Sequence, residues 1–234
     1  MVDTRESVPG TAPPLLQPWH LALIVLGPIS LAIGGLFHPS PLSPESAEQW
    51  RVLHLVALPL FPLLAVMLWT LLIGVRDGID GMVAVAARVC AYVYAAFYTA
   101  LDVLAGIANG AIVQYGAESG LDVEGVKNMI FGQGNDVLAV GTWAMIAACL
   151  LTGVVYVRRI GMWALPGALV LLVSAWSFRD AHIYPPRGVV TMLGFGVGAL
   201  LLALPVLRER RAVTRGDVSG SGSPGSGSSR DPRS

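Results

Sequence analysis

Charge is scarce in this chain. Of its 234 residues only 13% are Asp, Glu, Lys or Arg, and fifteen acidic residues balance fifteen basic ones to a net charge of zero. Without a basic excess there are few counterions to release from a phosphate backbone, which argues against nucleic acid as a partner. Cysteine is also rare: Cys90 and Cys149 both lie in apolar runs, without C-x-x-C spacing. Neither a disulfide framework nor a thiolate metal site is indicated, and both read as small buried hydrophobes. The chain has no P-loop, no GxGxxG after a strand, no HExxH, no GxSxG and no long heptad stretch, so the common signatures of ATP hydrolysis, zinc proteolysis and serine hydrolysis are missing. Lysine occurs once, as Lys127, against fourteen arginines. With abundant Ala, Gly and Val, that bias fits a GC-rich bacterial genome.

What is present is apolar surface. The chain is 54% hydrophobic with a mean hydropathy of +0.66, more than a water-soluble domain of this length can hide. Runs long enough to cross about 30 Å of hydrocarbon occur at 19–37, 52–75, 82–113, 137–157, 160–178 and 189–207. The predicted architecture is an all-α integral membrane protein, a six-transmembrane-helix bundle over 19–207. Residues 1–18 form a proline-rich leader with no small-residue cleavage site behind the first run, so that run reads as a retained span. Residues 208–234 form a basic stretch and a Gly/Ser/Pro-rich tail, predicted to be disordered from 216 onward.

Arginine position predicts orientation. Arg5, Arg76, Arg88, Arg158, Arg159, Arg208, Arg210, Arg211 and Arg215 fall on one side of the six spans, against Arg51, Lys127, Arg179 and Arg187 on the other. The positive-inside rule then puts both termini in the cytoplasm, in a multi-pass protein of the cytoplasmic membrane. The outer loops carry most of the acids. The long outer loop at 114–136 has Ser119 and Asp122 at capping-box spacing, followed by Val123, Val126, Met129 and Ile130 at helical intervals, which predicts either a short interfacial helix over the mouth of the bundle or an irregular loop whose apolar residues dip into the headgroups.

Asp102 is the one carboxylate expected within the hydrocarbon zone, where a charge costs about 2.5–3.5 kcal/mol. Tyr98, Asp102, Gly106 and Asn109 share one helical stripe, so the third span has a polar inward face. Asp102 and Asn109 fall in its outer half. His38 closes the first span, His54 opens the second, and His182 lies in the outer turn between the fifth and sixth. With Asp136, these groups can converge at one depth. Three histidines and a carboxylate suit a divalent metal such as zinc, and two histidines suit a haem iron. The alternatives are a polar ligand pocket built on Tyr98, Asp102, Asn109 and Asp136, or plain structural pairing of Asp102 with Tyr98 or a histidine. His20, beside Trp19, reads as an interfacial residue. Pro28, Pro59, Pro62 and Pro166 predict kinks, and the tryptophans an interfacial belt. Gly106/Gly110 and Gly194/Gly198 form GxxxG pairs that predict close helix contacts, within the chain or in a homo-oligomer.

"GLFHP" closing the first span, Trp-x-x-x-His in "WRVLH" opening the second and the aspartate of "YTALD" on the third together resemble a pattern in small uncharacterised six-span membrane proteins of GC-rich bacteria. The likeness covers about residues 19 to 110. It implies a membrane fold, carries no activity, and selects His38, His54 and Asp102. The expected functions are therefore binding of a small ligand or metal in an outward-facing pocket; a membrane-embedded hydrolase, cyclase or redox enzyme acting on a lipid-like substrate with Asp102 as acid; or a non-catalytic subunit or transporter component.

Overall fold

A computed structural model describes residues 16–220, with side chains as far as residue 208; the leader up to residue 15 and the tail from 221 lie outside the described residues. The described chain is helical, in the order α1 (His20–Leu36), α2 (Ala47–Ala57), α3 (Pro62–Leu71), α4 (Gly78–Leu101), a π-helical segment (Asp102–Ala108), α5 (Asn109–Ser119), α6 (Glu124–Ile160), a 3₁₀ turn (Gly161–Ala164), α7 (Leu165–Ala181) and α8 (Arg187–Gly220). Four stretches are long and apolar enough to cross a membrane, Ala47–Leu71, Gly78–Ser119, Glu124–Ala181 and Arg187–Arg208, beside the shorter apolar helix His20–Leu36. Within the third stretch the chain doubles back at Gly161, whose φ is +65°, and α7 packs along α6.

The bundle is apolar outside as well as inside. Met82, Val173 and Val190 are among many large apolar side chains turned outward, which makes a surface for lipid rather than water. Inside, Leu64, Met67, Tyr94, Met145, Phe178 and Phe195 belong to one buried core, drawn from α3, α4, α6, α7 and α8.

The second run differs from the expected kinked helix. It starts earlier, at Ala47, and breaks at Leu58–Phe61 before α3 restarts on Pro62. Pro59 and Pro62 cannot donate to preceding carbonyls, and a proline is well suited to open a helix. Across the break the Phe61 carbonyl accepts from the Leu64 N–H at 3.0 Å and from the Tyr94 hydroxyl at 3.2 Å, which ties α4 to the start of α3.

Two boundaries are corrected. Residues 114–136 are not a loop with an interfacial helix: α5 runs to Ser119, Gly120 takes φ +66° as its C-cap, and α6 begins at Glu124. Asp122 rather than Ser119 serves the new helix, accepting from the Glu124 N–H at 3.0 Å. Once two helices are nucleated on either side of a glycine turn, extending each by a residue costs little. For the same reason α8 extends to Gly220, so 216–220 are helical rather than part of the disordered tail. The GxxxG pairs face inward. Gly198 lies against Leu171, Gly194 against Ser174, and Gly110 against Arg51, so these close contacts are made within the chain and those faces are not open to a second copy.

Candidate functional site

Three separate helix ends bring histidines together. His38 lies just beyond α1, His54 sits in the last turn of α2 rather than opening the second run, and His182 caps α7. Two glycines permit the approach. A Cβ on Gly35 of α1 would lie 2.5 Å from the Ile183 carbonyl oxygen, and a Cβ on Gly106 would overlap the His54 ring. Bare backbone at these points lets the 181–184 turn settle on α1, and α2 on the π segment. One ring nitrogen from each histidine then lies within 4.8 Å of the other two. The rings are packed edge to face, His38 against His54 at 5.0 Å and against His182 at 5.5 Å between centroids, while His54 and His182 stack at 6.1 Å.

Hydrogen bonds settle which nitrogens face the cluster. His38 Nδ1 is 2.7 Å from the Pro39 carbonyl oxygen, and His54 Nδ1 is 2.7 Å from that of Trp50. A carbonyl only accepts, so in each neutral ring Nδ1 carries the proton and Nε2 keeps its lone pair. This arrangement fixes the tautomer and orientation of metal-binding histidines. His182 Nδ1 is 2.5 Å from the Tyr98 hydroxyl, and its Nε2, like that of His38, is buried without a hydrogen-bond partner. His38 and His182 lie between the helices. Burial, with repulsion from His54, takes the His38 pKa down to about 4, against the opposing pull of the Pro39 carbonyl. The pKa of His182 is lowered by burial and then by His38 and His54. Both rings are neutral at pH 7, the form that ligates a metal.

His182 is also the one non-glycine residue with positive φ among the described residues, at +45°. Such a conformation costs on the order of 1–3 kcal/mol and collects at functional sites.

Asp102 opens the π-helical segment and is 1% exposed. Its Oδ1 lies 3.8 Å from His54 Nε2, beyond hydrogen-bonding distance, and neither carboxylate oxygen has a partner. Wide π turns recur at functional sites. Here the Ala105 carbonyl of that segment accepts from Trp50 Nε1 at 3.1 Å. Trp50 thus braces the π segment with its indole and orients His54 with its carbonyl.

A cavity of about 380 Å³ adjoins the cluster, with His54, Asp102 and His182 on its wall together with Trp50, Phe131 and Tyr184. Of the residues expected in a pocket, Asp102 lines it. Tyr98 stands behind, holding His182, and Asn109 is wholly buried with both amide atoms unpartnered but is not on the wall. Asp136 is a correction: it is exposed and takes no part, because the helical phase of α6 turns its neighbour Asn135 to the cavity instead. Sequence reasoning missed Trp50 and Tyr184 as site residues, although Trp50 is the first member of the Trp-x-x-x-His spacing and Tyr184 follows His182 by two.

At the opposite end of α4, Asp80 is held by Arg158 Nε at 2.6 Å and Arg159 Nε at 3.1 Å. This buried pairing ties two turns together and was legible only as an acid and two arginines on a shared side. His20 accepts from the Gln17 N–H at 2.8 Å and stands apart from the other histidines. No known protein family, curated protein or solved structure matches the chain.

Proposed function

We propose that this chain is a six-span protein of the cytoplasmic membrane, with both termini on the cytoplasmic side, that binds a divalent transition metal such as zinc near its outer face. The spans are α1, α2 with α3, α4 through α5, α6, α7 and α8. His38, His54 and His182 are the ligands, Asp102 is the buried acid beside them, and the adjoining cavity takes a small ligand.

One observation carries this reading. Three histidine nitrogens lie within 4.8 Å of one another, and the carbonyl partners of His38 and His54 leave Nε2 as the free donor on each. Nitrogens around a tetrahedral zinc sit ~3.3 Å apart, so closing the cluster needs side-chain adjustment of about 1.5 Å rather than refolding. A metal ion rather than a haem is favoured, because His38 packs edge to face directly on both other rings and one nitrogen from each of the three shares a single cluster.

When bound, the metal supplies Lewis acidity to whatever occupies the cavity. The chain's own contribution is to keep the imidazoles neutral and aimed, and to exclude water with Trp50, Phe131 and Tyr184. Asp102, unpartnered on the cavity wall, supports a second reading as an enzyme acting on a lipid-like substrate, in which it takes up or gives a proton. Under that reading Asp102→Asn loses turnover while the fold survives.

The test is elemental analysis and a visible spectrum of detergent-purified protein, wild type beside His38→Ala and His54→Ala. The expected result is about one metal ion per chain, lost in both variants, with no Soret band. Protein that retains no ion, and takes up none when zinc is supplied, overturns the metal reading. Orientation is tested by cysteines placed at Glu45 and Asp77 in a Cys90→Ala, Cys149→Ala background. A membrane-impermeant thiol reagent added outside is expected to label only the first.

A further inference from the structure

A second site lies on the far side of the bundle, where α3 ends and α4 begins. Arg88 stands ten residues into α4, about 15 Å along its axis from Gly78. Its guanidinium turns back to the chain reversal after α3 and donates to the carbonyls of Leu72 at 2.6 Å and Val75 at 3.4 Å. Both partners are neutral, so the charge is held in place without being cancelled. Arg76, exposed on the same reversal, adds a second positive charge near enough to interact with the first. Among the described residues neither arginine has a carboxylate within 4 Å; the nearby Asp80 is engaged by Arg158 and Arg159.

These two arginines share the wall of a cavity of about 540 Å³ with Trp69. Trp69 and Arg88 also border a second cavity of about 300 Å³, otherwise walled by Val85, Val89 and Tyr92. With Trp69 and Arg88 on both walls, the two lie side by side, one doubly cationic and the other apolar. Trp69 donates from its indole to the Arg88 carbonyl at 3.1 Å, which sets a rigid aromatic wall shared by both. Tyr92 and Trp69 are 63% and 43% exposed, so the apolar cavity faces outward, toward lipid.

We propose that this pair of cavities binds an anionic phospholipid, the headgroup phosphate between Arg76 and Arg88 and an acyl chain along Val85, Val89 and Tyr92. Charge complementarity chooses the occupant, since basic pockets between spans select anionic headgroups and guanidinium forks match phosphate geometry. An apolar cavity beside the cationic one, sharing Trp69 and Arg88 with it, suits a lipid and gives a soluble phosphate nothing to gain. The inference rests on membrane insertion and is independent of the histidine cluster; the cytoplasmic leaflet follows from the proposed orientation.

The experiment is native mass spectrometry of the full-length protein in mild detergent. It is titrated with phosphatidylglycerol or phosphatidylcholine of identical acyl chains, with glycerol phosphate as a soluble competitor. Two arginines at the headgroup correspond to about a 30-fold preference for phosphatidylglycerol, and loss of one to about a 5-fold drop. Arg76→Gln, which removes no hydrogen bond among the described residues, is expected to lose that amount for phosphatidylglycerol and a smaller factor for phosphatidylcholine, whose phosphate charge is offset by its choline. Arg208→Gln is expected to change neither. Equal binding of the two lipids, an unchanged Arg76→Gln protein, or an equal loss in Arg208→Gln overturns the proposal. Displacement of the lipid by equimolar glycerol phosphate also overturns it, in favour of a free phosphate site.

Discussion

Gly106→Ala separates the candidate site from the fold more sharply than deleting a histidine does. The added methyl would lie 2.7 Å from the Cβ of His54 and closer still to its ring carbons, whereas two carbons rest at ~3.5–4.0 Å. His54 must therefore retreat by about an ångström, several times the ±0.2 Å tolerance of a metal–ligand bond. Overpacking of this kind costs about 1–3 kcal/mol, offset by about 1 kcal/mol from replacing a helical glycine with alanine. The net loss of stability is about 0–2 kcal/mol, small enough for the bundle to survive. The loss of metal affinity is larger. Disturbing an outer-shell partner costs 10–100-fold, and displacing a ligand outright costs more than ~100-fold. The assay pairs thermal unfolding in detergent with competitive zinc titration, on Gly106→Ala beside Gly132→Ala, where an added Cβ meets nothing within 4 Å. A Gly106→Ala protein that binds zinc as tightly as wild type refutes the argument that His54 is held in place for a metal. So does one that loses zinc only because it has unfolded.

Tyr98→Phe removes the hydroxyl that holds His182 Nδ1; zinc affinity by competition titration is expected to fall about 10–100-fold, with the fold intact by circular dichroism. Trp50→Phe deletes the donor to the Ala105 carbonyl, an expected loss of about 1–3 kcal/mol from the unpaired acceptor, read as a lower unfolding temperature. Asp80→Ala leaves Arg159, whose side chain is 4% exposed, without that carboxylate. Losing a charge-assisted hydrogen bond of this kind costs about 1.5–3 kcal/mol, so this variant is expected to unfold at a lower temperature than wild type in the same thermal assay, while any zinc retained by its folded fraction is bound normally.

Helical phase carried the sequence reading of the third span well. Tyr98, Asp102, Gly106 and Asn109 share a stripe in the sequence, and all four are buried in the structure. Asp136 is grouped with them by depth alone, and depth does not give phase: α6 begins at Glu124 instead of near the expected span at 137, and its turn leaves Asp136 exposed. The sequence reading also failed at 114–136, where polar residues suggested a loop although nothing there prevents both helices from continuing to a single left-handed glycine.

Composition and hydropathy alone determined that the chain is built of apolar helices, because burying that much hydrocarbon surface is a sum over residues and needs no knowledge of partners. They also set His38 at the close of the first run and one carboxylate deep in the third, since these placements depend on a residue's distance from the end of its own run, whereas His54, expected to open the second run, lies in the last turn of α2 because that run starts at Ala47. Only the tertiary structure decided that His38, His54 and His182 meet, that Asp102 opens a π-helical segment, and that Trp50 and Tyr98 hold the rings from behind. Those facts depend on how closely helices distant in sequence approach. The approach is set by bare backbone at Gly35 and Gly106 against Ile183 and His54, contacts that no periodicity within a single helix encodes.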